Sequence, residues 1–438
     1  MPDEIRHPTP SQETHCPRCG NTISASEAIC PHCGAQLDNG DTASVQDDWP
    51  APPDGLAQIG YILLILLGGV AVLGGIACLA IGLVLGGSVF DLALLIALVV
   101  VGSVLLVDSL RAFDVGHWHT LALGHAWAWL GLVFVVWGAG TGVTQALPTV
   151  EGWVLPPLIV VGSGASSLLY LTIALHGLRR PAGRGALQGR LLPQHRLLLS
   201  ASLASIFSTG SALVLEAIAL IGTIGVMLAA SRIVGDQATL DLLRELAQDP
   251  QALDRLEEML GRSPVALAGL GAILVFIAPA IEEGAKALPL FFFARRRAQL
   301  SERTAILIGV AGGVGFAFAE NIGYLSALTA EWWLIFWFRA AAAVMHGTAS
   351  GFVGRAWWQG LKRRRWGAML RDLCFGWGIH AFWNGLALLA AWFAYREDVA
   401  GVLFVVGIGL VPLAALFALL ARWGIWVQAE SPEGAIRT

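Results

Sequence analysis

Long apolar runs separated by short charged stretches dominate the chain after residue 57. Ten of these runs contain about 20 residues or more, the length that a helix needs to cross a hydrocarbon core of about 30 Å. They lie near 57–87, 91–110, 121–146, 153–178, 197–230, 264–294, 304–327, 332–358, 371–394 and 400–424. The pattern predicts an all-α polytopic membrane protein with about ten transmembrane helices.

Composition agrees with this interpretation. Apolar residues make up 56% of the chain and charged residues only 13%, with a mean hydropathy of +0.68. A soluble globular domain keeps about a quarter of its residues charged. The net charge of -4 says little about partners, and no nucleic acid partner is predicted.

The orientation follows from short basic loops at 179–196, 295–303 and 362–371, because Lys and Arg are retained on the cytoplasmic side. Ten crossings that start in the cytoplasm place all three loops there. The prediction is a multi-pass protein of the cell membrane with both termini cytoplasmic, including a tail at 425–438. The loop at 231–263 is then extracytoplasmic, and TLDLLRELAQ and ALDRLEEML within it have helical periodicity. It can cap a site or serve as a solvated connector.

The first residues form a separate polar region. CPRCG and CPHCG supply Cys16, Cys19, Cys30 and Cys33, two CxxC pairs that are typical of a closed tetrahedral Zn²⁺ site. We therefore predict a structural zinc ribbon at 1–36 and a flexible linker at 37–56. The ribbon either only adds stability or binds a cytoplasmic protein partner, and the sequence does not choose between these roles.

Four polar motifs interrupt the later apolar runs. They are EEGAK at 282–286, FAFAEN at 316–321, HGTASG at 346–351 and HAFWN at 380–384. Counted from the basic loops, their ionisable residues lie at depths of about 14 to 25 Å. Charged groups at such depth are costly and mark functional sites. The four motifs can therefore meet in one chamber, which points to an intramembrane enzyme.

Helical spacing suggests how the side chains are arranged. Glu282 and Lys286 are four residues apart and can pair, whereas Glu283 points about 100° away and can face another partner. His380 and Asn384 are also one turn apart. An adjacent pair of glutamates favours one acting as a base while the other is paired.

Together, EExxK, FAxxEN, a His followed by Gly and HxxxN resemble the PrsW family of intramembrane proteases, relatives of the CAAX-processing superfamily. The resemblance covers about 264–394, within a catalytic membrane region predicted at 264–424, and leaves the N-terminal membrane helices at 57–230 unexplained. It implies an endopeptidase that cleaves membrane protein substrates, an anti-sigma factor in signalling members of the family.

The resemblance also implies roles for individual residues. Glu282 and Glu283 hold or activate the hydrolytic water together with His346, and His380 and Asn384 bind metal or stabilise the oxyanion. Supporting roles go to Lys286, Glu320 and Asn321. A second, catalytic Zn²⁺ would use Glu283, His346 and His380. HExxH, the usual zinc protease signature, is not in the sequence.

Two other functions stay open at this stage. A transporter of ions or solutes also places acids and His near the membrane midplane, and a noncatalytic membrane sensor can act through a zinc ribbon. Arg339 is expected to snorkel or pair near the outer interface. Trp332, Trp333 and Trp337 are typical of an interfacial belt.

Overall fold

The computed structural model describes residues 13–15, 21–24, 55–111, 126–176, 194–248, 263–289, 302–395 and parts of 398–414. Two short antiparallel strands, β1 (Glu13–His15) and β2 (Thr22–Ser24), pair with His15 opposite Thr22. The helices are α1 (Gly55–Leu85), α2 (Val89–Arg111), α3 (Ala126–Ala146), α4 (Glu151–His176), α5 (Gln194–Leu203), α6 (Thr209–Val234), α7 (Gln237–Gln248), α8 (Pro264–Gly271), α9 (Ala278–Lys286), α10 (Glu302–Ala327), α11 (Trp332–Arg363) and α12 (Trp366–Tyr395). Short π-helical turns at Ala204–Ser208 and Ala272–Ile277 join α5 to α6 and α8 to α9.

Within the described part of the chain, eight helical segments are long and apolar enough to cross a membrane. They correspond to ten of the helices, because α5 continues into α6 and α8 into α9, whereas α7 and α11 are not among them. Helix α11 has 32 residues, a length of about 48 Å, but it carries more charged residues than the others. It corresponds to the predicted span at 332–358. The predicted tenth span lies largely outside the described residues.

Helix α10 lies at the centre of the bundle. In its most apolar window 89% of residues are buried, compared with 6% in the segment that contains α6. A core cluster formed by α1, α2, α4, α5, α10 and α11 surrounds it and includes Leu105, Leu171 and Ile308. The periphery is apolar and exposed, as at Leu63 and Leu73 of α1. An outward apolar face of this kind is expected for a helix in contact with lipid.

Close contact between α10 and α11 depends on glycine. A Cβ atom at Gly309 would lie 2.2 Å from the Ser350 carbonyl oxygen, and one at Gly313 would lie 2.3 Å from that of His346. The pair forms a GxxxG motif, which allows two helix backbones to approach closely in a membrane. This packing brings the polar residues of the two helices to the same level.

Side-chain caps define the connection from α6 to α8. Helix α6 ends at Gly235, whose φ of 71° suits a glycine in the left-handed region. Asp236 then accepts hydrogen bonds from the Thr239 backbone at 3.2 Å and from the Ser263 hydroxyl at 3.1 Å. Ser263 in turn caps α8. The predicted helix in TLDLLRELAQ is part of α7, whereas ALDRLEEML lies outside the described residues.

The aromatic belt prediction is wrong for Trp332. Its side chain is fully buried, and its indole N–H donates to the Trp137 carbonyl oxygen at 3.2 Å. Trp137 returns a hydrogen bond to the Trp333 carbonyl oxygen at 3.0 Å. The large ring fits because it packs against Gly140, where no side chain fills the space. Trp332 therefore joins α3 to α11 rather than marking an interface.

Candidate active site

Lys286 lies at the centre of a buried polar cluster. Its ammonium donates to Glu282 Oε2 at 3.0 Å and to Glu283 Oε1 at 2.8 Å, and lies 2.7 Å from His346 Nδ1. It also lies 4.2 Å from the centre of the Phe316 ring. The predicted pairing with Glu282 is present. Glu283 faces other partners as well, Ser350 and His380, in agreement with the prediction. Its contact with Lys286 was not predicted and arises because residues three apart on a helix are also neighbours.

His346 is held from its other side by Glu320. The imidazole Nε2 lies 2.7 Å from Glu320 Oε2, which also accepts a 2.6 Å hydrogen bond from Arg339. Arg339 donates further to Asn321 Oδ1 at 2.7 Å. Arg339 is 6% exposed and belongs to the polar cluster, so the prediction that it snorkels is wrong and the alternative of pairing is confirmed.

His380 reaches the same cluster from α12. Its Nδ1 lies 3.0 Å from Glu283 Oε1, and the second oxygen of Glu283 accepts a 2.9 Å hydrogen bond from the Ser350 hydroxyl. The rings of His346 and His380 meet edge to face with centroids 4.7 Å apart. Both side chains are about 1% exposed. Four helices, α9 to α12, thus contribute to one group of side chains.

The hydrogen bonds determine which imidazole nitrogens have free lone pairs. An ammonium only donates, so His346 Nδ1 accepts from Lys286 and its Nε2–H donates to Glu320. A carboxylate accepts, so His380 Nδ1–H donates to Glu283 and its Nε2 carries the lone pair. That Nε2 lies 3.6 Å from Glu282 Oε2, and two acceptors face each other. Lys286 satisfies the acceptors on Glu282 and His346, whereas His380 Nε2 has no hydrogen-bond donor among the described residues.

This donor set suits a metal ion. Suitable ligand atoms of Glu282, His346 and His380 lie within 4.8 Å of one another. Two His and one Glu are a known ligand set of catalytic zinc. Each His also bonds a carboxylate through its other nitrogen, the arrangement that orients histidine ligands in metal sites. The set differs from the predicted one in having Glu282 in place of Glu283, which is engaged with Ser350 and His380.

Asn384 does not contact the cluster. Its side-chain N–H donates to the Leu274 carbonyl oxygen at 2.9 Å, and Trp377 donates to the Phe276 carbonyl oxygen at 2.9 Å. Both acceptors lie in the π-helical turn Ala272–Ile277, where the regular ladder of backbone hydrogen bonds is interrupted. Asn384 and Trp377 therefore satisfy carbonyls of this turn, just before the helix that carries Glu282.

Sequence reasoning missed three residues at or near the cluster. Ser350 and Arg339 lie four residues after and seven before His346, on the same helix face, so helical periodicity could have found both. Glu216 of α6 interacts electrostatically with Glu282 and Glu320. Its buried Oε1 has no hydrogen-bond partner. An isolated acid in an apolar span was the available signal for Glu216.

The cluster is not evenly enclosed. The side chains of Glu282, Glu283, Lys286, His346 and His380 are at most 9% exposed, whereas that of Glu320 is 23% exposed. Tyr324, one turn further along α10, is 47% exposed. The side of the cluster formed by Glu320 is therefore its most accessible side.

The predicted ribbon cysteines lie outside the described residues. In the sequence, the first CxxC pair lies between the two described strands, β1 (Glu13–His15) and β2 (Thr22–Ser24).

Comparison with protein families agrees with the predictions for both the membrane region and the zinc ribbon. The sequence profile of the PrsW family intramembrane metalloproteases matches residues 195–417, about half of the chain. A zinc-ribbon domain matches residues 15–37. The first match begins before the four motifs and includes α5 and α6. Searches of curated proteins and of solved structures gave no significant match.

Proposed function

Because the chain belongs to the PrsW family of intramembrane metalloproteases and is a membrane-embedded protease, we propose that its buried Glu/His cluster is where it hydrolyses peptide bonds. The observation that carries this proposal is the convergence of Glu282, His346 and His380 from three helices, with a carboxylate on the far nitrogen of each imidazole. If these side chains only joined the helices by hydrogen bonds, three acceptor groups would not need to face one another.

Each residue of the cluster has a distinct role in this proposal. Glu282, His346 and His380 hold the Zn²⁺, which, when bound, activates water and polarises the scissile carbonyl. Glu283 orients His380, and Glu320 orients His346. Ser350 fixes Glu283 through the second carboxylate oxygen. Among the described residues of the cluster, Glu320 is the most exposed, and in this proposal water enters beside it.

Asn384 and Asn321 act at a distance from the chemistry. Asn384 holds the turn that precedes α9, and Asn321 fixes the guanidinium of Arg339. We assign both a positioning role. An oxyanion role for Asn384 has no support in its contacts, because its N–H groups are directed to a backbone carbonyl instead of the cluster.

The substrate is a membrane protein in a lipid environment, as the family requires. We propose that its cleaved segment enters beside Glu320 and Tyr324, the accessible side of the cluster. Among membrane proteins, we favour an anti-sigma factor as the substrate. We also propose that the protease lies in the cell membrane with both of its termini in the cytoplasm. The zinc ribbon would then be placed to bind a cytoplasmic protein partner.

Reconstituted proteolysis tests the function. A tagged single-span substrate is combined with the full chain in lipid vesicles, with and without a chelator, and its fragments are measured. We expect cleavage that the chelator abolishes and Zn²⁺ restores. A Cys16→Ser, Cys19→Ser variant that still cleaves and remains chelator-sensitive would assign the effect to the membrane site. Full cleavage by Glu282→Gln would contradict the proposed site.

A further inference from the structure

Lys286 occupies the place where the lone pairs of the cluster converge. Its Nζ lies 2.7 Å from His346 Nδ1 and 3.0 Å from Glu282 Oε2, and this Glu282 oxygen in turn lies 3.6 Å from His380 Nε2. Lys286 is 1% exposed, so its ammonium is held within the protein. These contacts are made by the same acceptor atoms that a metal ion would use.

The ammonium and a metal ion are therefore alternatives. A Zn²⁺ ion bonds His nitrogen and carboxylate oxygen at about 2.0 to 2.2 Å, and an ammonium bonded to the same atoms leaves no room for it. The two cations also repel each other at such short range. Binding of metal by Glu282 and His346 thus requires Lys286 to leave both.

The helix provides a place for Lys286 to go. Glu283 lies three residues before it and already accepts a 2.8 Å hydrogen bond from its ammonium. The lysine side chain has a flexible four-carbon stem, so its head group can withdraw from His346 while keeping Glu283 as a partner. Glu283 does not belong to the converging set of Glu282, His346 and His380.

We propose that the Lys286 ammonium is a built-in competitor of the catalytic metal, and that the membrane site takes up metal only when Lys286 withdraws from Glu282 and His346 towards Glu283. This inference rests on the proposed function. It makes Lys286 the residue that sets the metal affinity of the site, and Lys286 satisfies the acceptors on Glu282 and His346 when no metal is bound. The sequence predicts only that Lys286 pairs with Glu282 and supports the site.

The chain offers a direct test because it contains two lysines, Lys286 and Lys362, and Lys362 lies exposed at the end of α11. The full chain carrying Cys16→Ser and Cys19→Ser is labelled with ¹³C at the lysine ε carbons and placed in lipid nanodiscs. Zn²⁺ is then titrated in. We expect one equivalent to bind and to shift the Lys286 signal, while the Lys362 signal stays unchanged.

Metal affinity gives a second measurement. Lys286→Met removes the competing ammonium at similar side-chain length, and we expect it to bind Zn²⁺ at least tenfold more tightly than the parent chain. Lys362→Met loses the same charge away from the cluster and should match the parent. If Lys286→Met does not fold, the Lys286 signal of the labelled parent chain still tests the proposal, because that chain keeps its native lysine.

Three outcomes would overturn the proposal. The first is that Zn²⁺ binds with no change in the Lys286 signal. The second is that Lys286→Met binds Zn²⁺ no more tightly than the parent chain, and the third is that neither chain binds an ion at the membrane site. Proteolysis measured on the same samples separates this result from the function. If cleavage requires Zn²⁺ but the Lys286 signal and the affinity do not change, the proposed function stands and only the competition between Lys286 and metal is lost. If cleavage persists without a membrane-site ion, the proposed zinc role of Glu282, His346 and His380 is lost as well.

Discussion

At the residue scale, the cluster is organised by pairing each imidazole with a carboxylate. Glu283 bonds one nitrogen of His380 and Glu320 bonds one nitrogen of His346, which leaves the opposite nitrogens directed inward. Removing one partner of a buried charged pair typically costs 3–5 kcal/mol, about the same order as the whole stability of a small domain. These residues are therefore sensitive positions for both activity and folding.

Glu283→Gln and His346→Ala should each lower proteolysis by about 10² to 10⁴-fold or more, because the first loosens His380 and the second removes a ligand or base. Cleavage of the tagged substrate measures the effect, and thermal unfolding separates it from misfolding. Glu331→Gln, an exposed acid at the start of α11, is the matched control and should keep native activity. Near-native cleavage by Glu282→Gln, Glu283→Gln and their combination would exclude the protease site.

Glu216→Gln should reduce proteolysis by about tenfold, corresponding to roughly 1.4 kcal/mol in the barrier. Glu216 interacts electrostatically with Glu282 and Glu320, and its Oε1 has no partner. Glu216 therefore adds another acid near the carboxylates of the cluster, and its loss should weaken the attraction of the site for a cation. Glu331→Gln again provides the control. Equal activities of the two variants would show that Glu216 does not influence the reaction.

At the element scale, two features of the helix backbones position the side chains of the cluster. The GxxxG contact brings α10 against α11, so that Glu320 reaches His346. The π-helical turn Ala272–Ile277 precedes α9 and is held by Asn384 and Trp377 of α12. Turns of this kind occur frequently at functional sites. Distances within the cluster thus depend on backbone features one or two turns away.

Gly313→Ala should destabilise the fold by about 1–3 kcal/mol, the usual cost of overpacking a close contact. The added Cβ would meet the His346 carbonyl oxygen at 2.3 Å, so proteolysis should fall as well. Gly323→Ala, in the same helix, meets nothing within 4 Å and should be neutral or slightly stabilising. Thermal unfolding in detergent compares the two. Equal unfolding temperatures would contradict a tight α10–α11 contact.

Asn384→Ala should lose about 1 kcal/mol of stability, the typical net value of a hydrogen bond, and proteolysis should fall in parallel. Trp377→Phe removes the neighbouring hydrogen bond to the same turn and should behave alike. Phe382→Ala, at an exposed position of α12, serves as the control. If Asn384→Ala instead abolished cleavage with no change in stability, Asn384 would act directly on the substrate.

At the scale of the whole molecule, a buried central helix is surrounded by lipid-facing ones. Helix α10 supplies Glu320 from this centre, whereas α6 is largely exposed along its length. The bundle therefore shields most of the cluster and leaves access beside Glu320 and Tyr324.

Thiol labelling of intact cells tests the predicted orientation. In a chain whose six cysteines are replaced, Arg244→Cys in α7 should react with a membrane-impermeant reagent, because the 231–263 loop is predicted outside. Arg365→Cys, between α11 and α12, should react only after the cells are opened. The reverse pattern would invert the orientation and remove the argument for a cytoplasmic ribbon.

Much of this protein could be predicted from its sequence. Apolar runs long enough to span a bilayer predict helices, because no other open structure satisfies the backbone there. The cost of intramembrane charge singled out the motifs that contain Glu282, Glu320, His346 and His380. The CxxC pairs, spaced as zinc ligands are, indicated the ribbon. These signals are local, since each depends on residues within one helix or turn.

The tertiary structure decided which of those side chains meet. Helical spacing placed His380 and Asn384 together, but the π-helical turn draws Asn384 to the Leu274 carbonyl, a partner 110 residues away along the chain. Packing likewise gives Arg339 the partner Glu320, buries Trp332 and brings Glu282, where Glu283 was predicted, into the group with His346 and His380 that could hold a metal. Contacts between distant helices depend on how their surfaces fit, and the periodicity within a single helix carries no information about that fit.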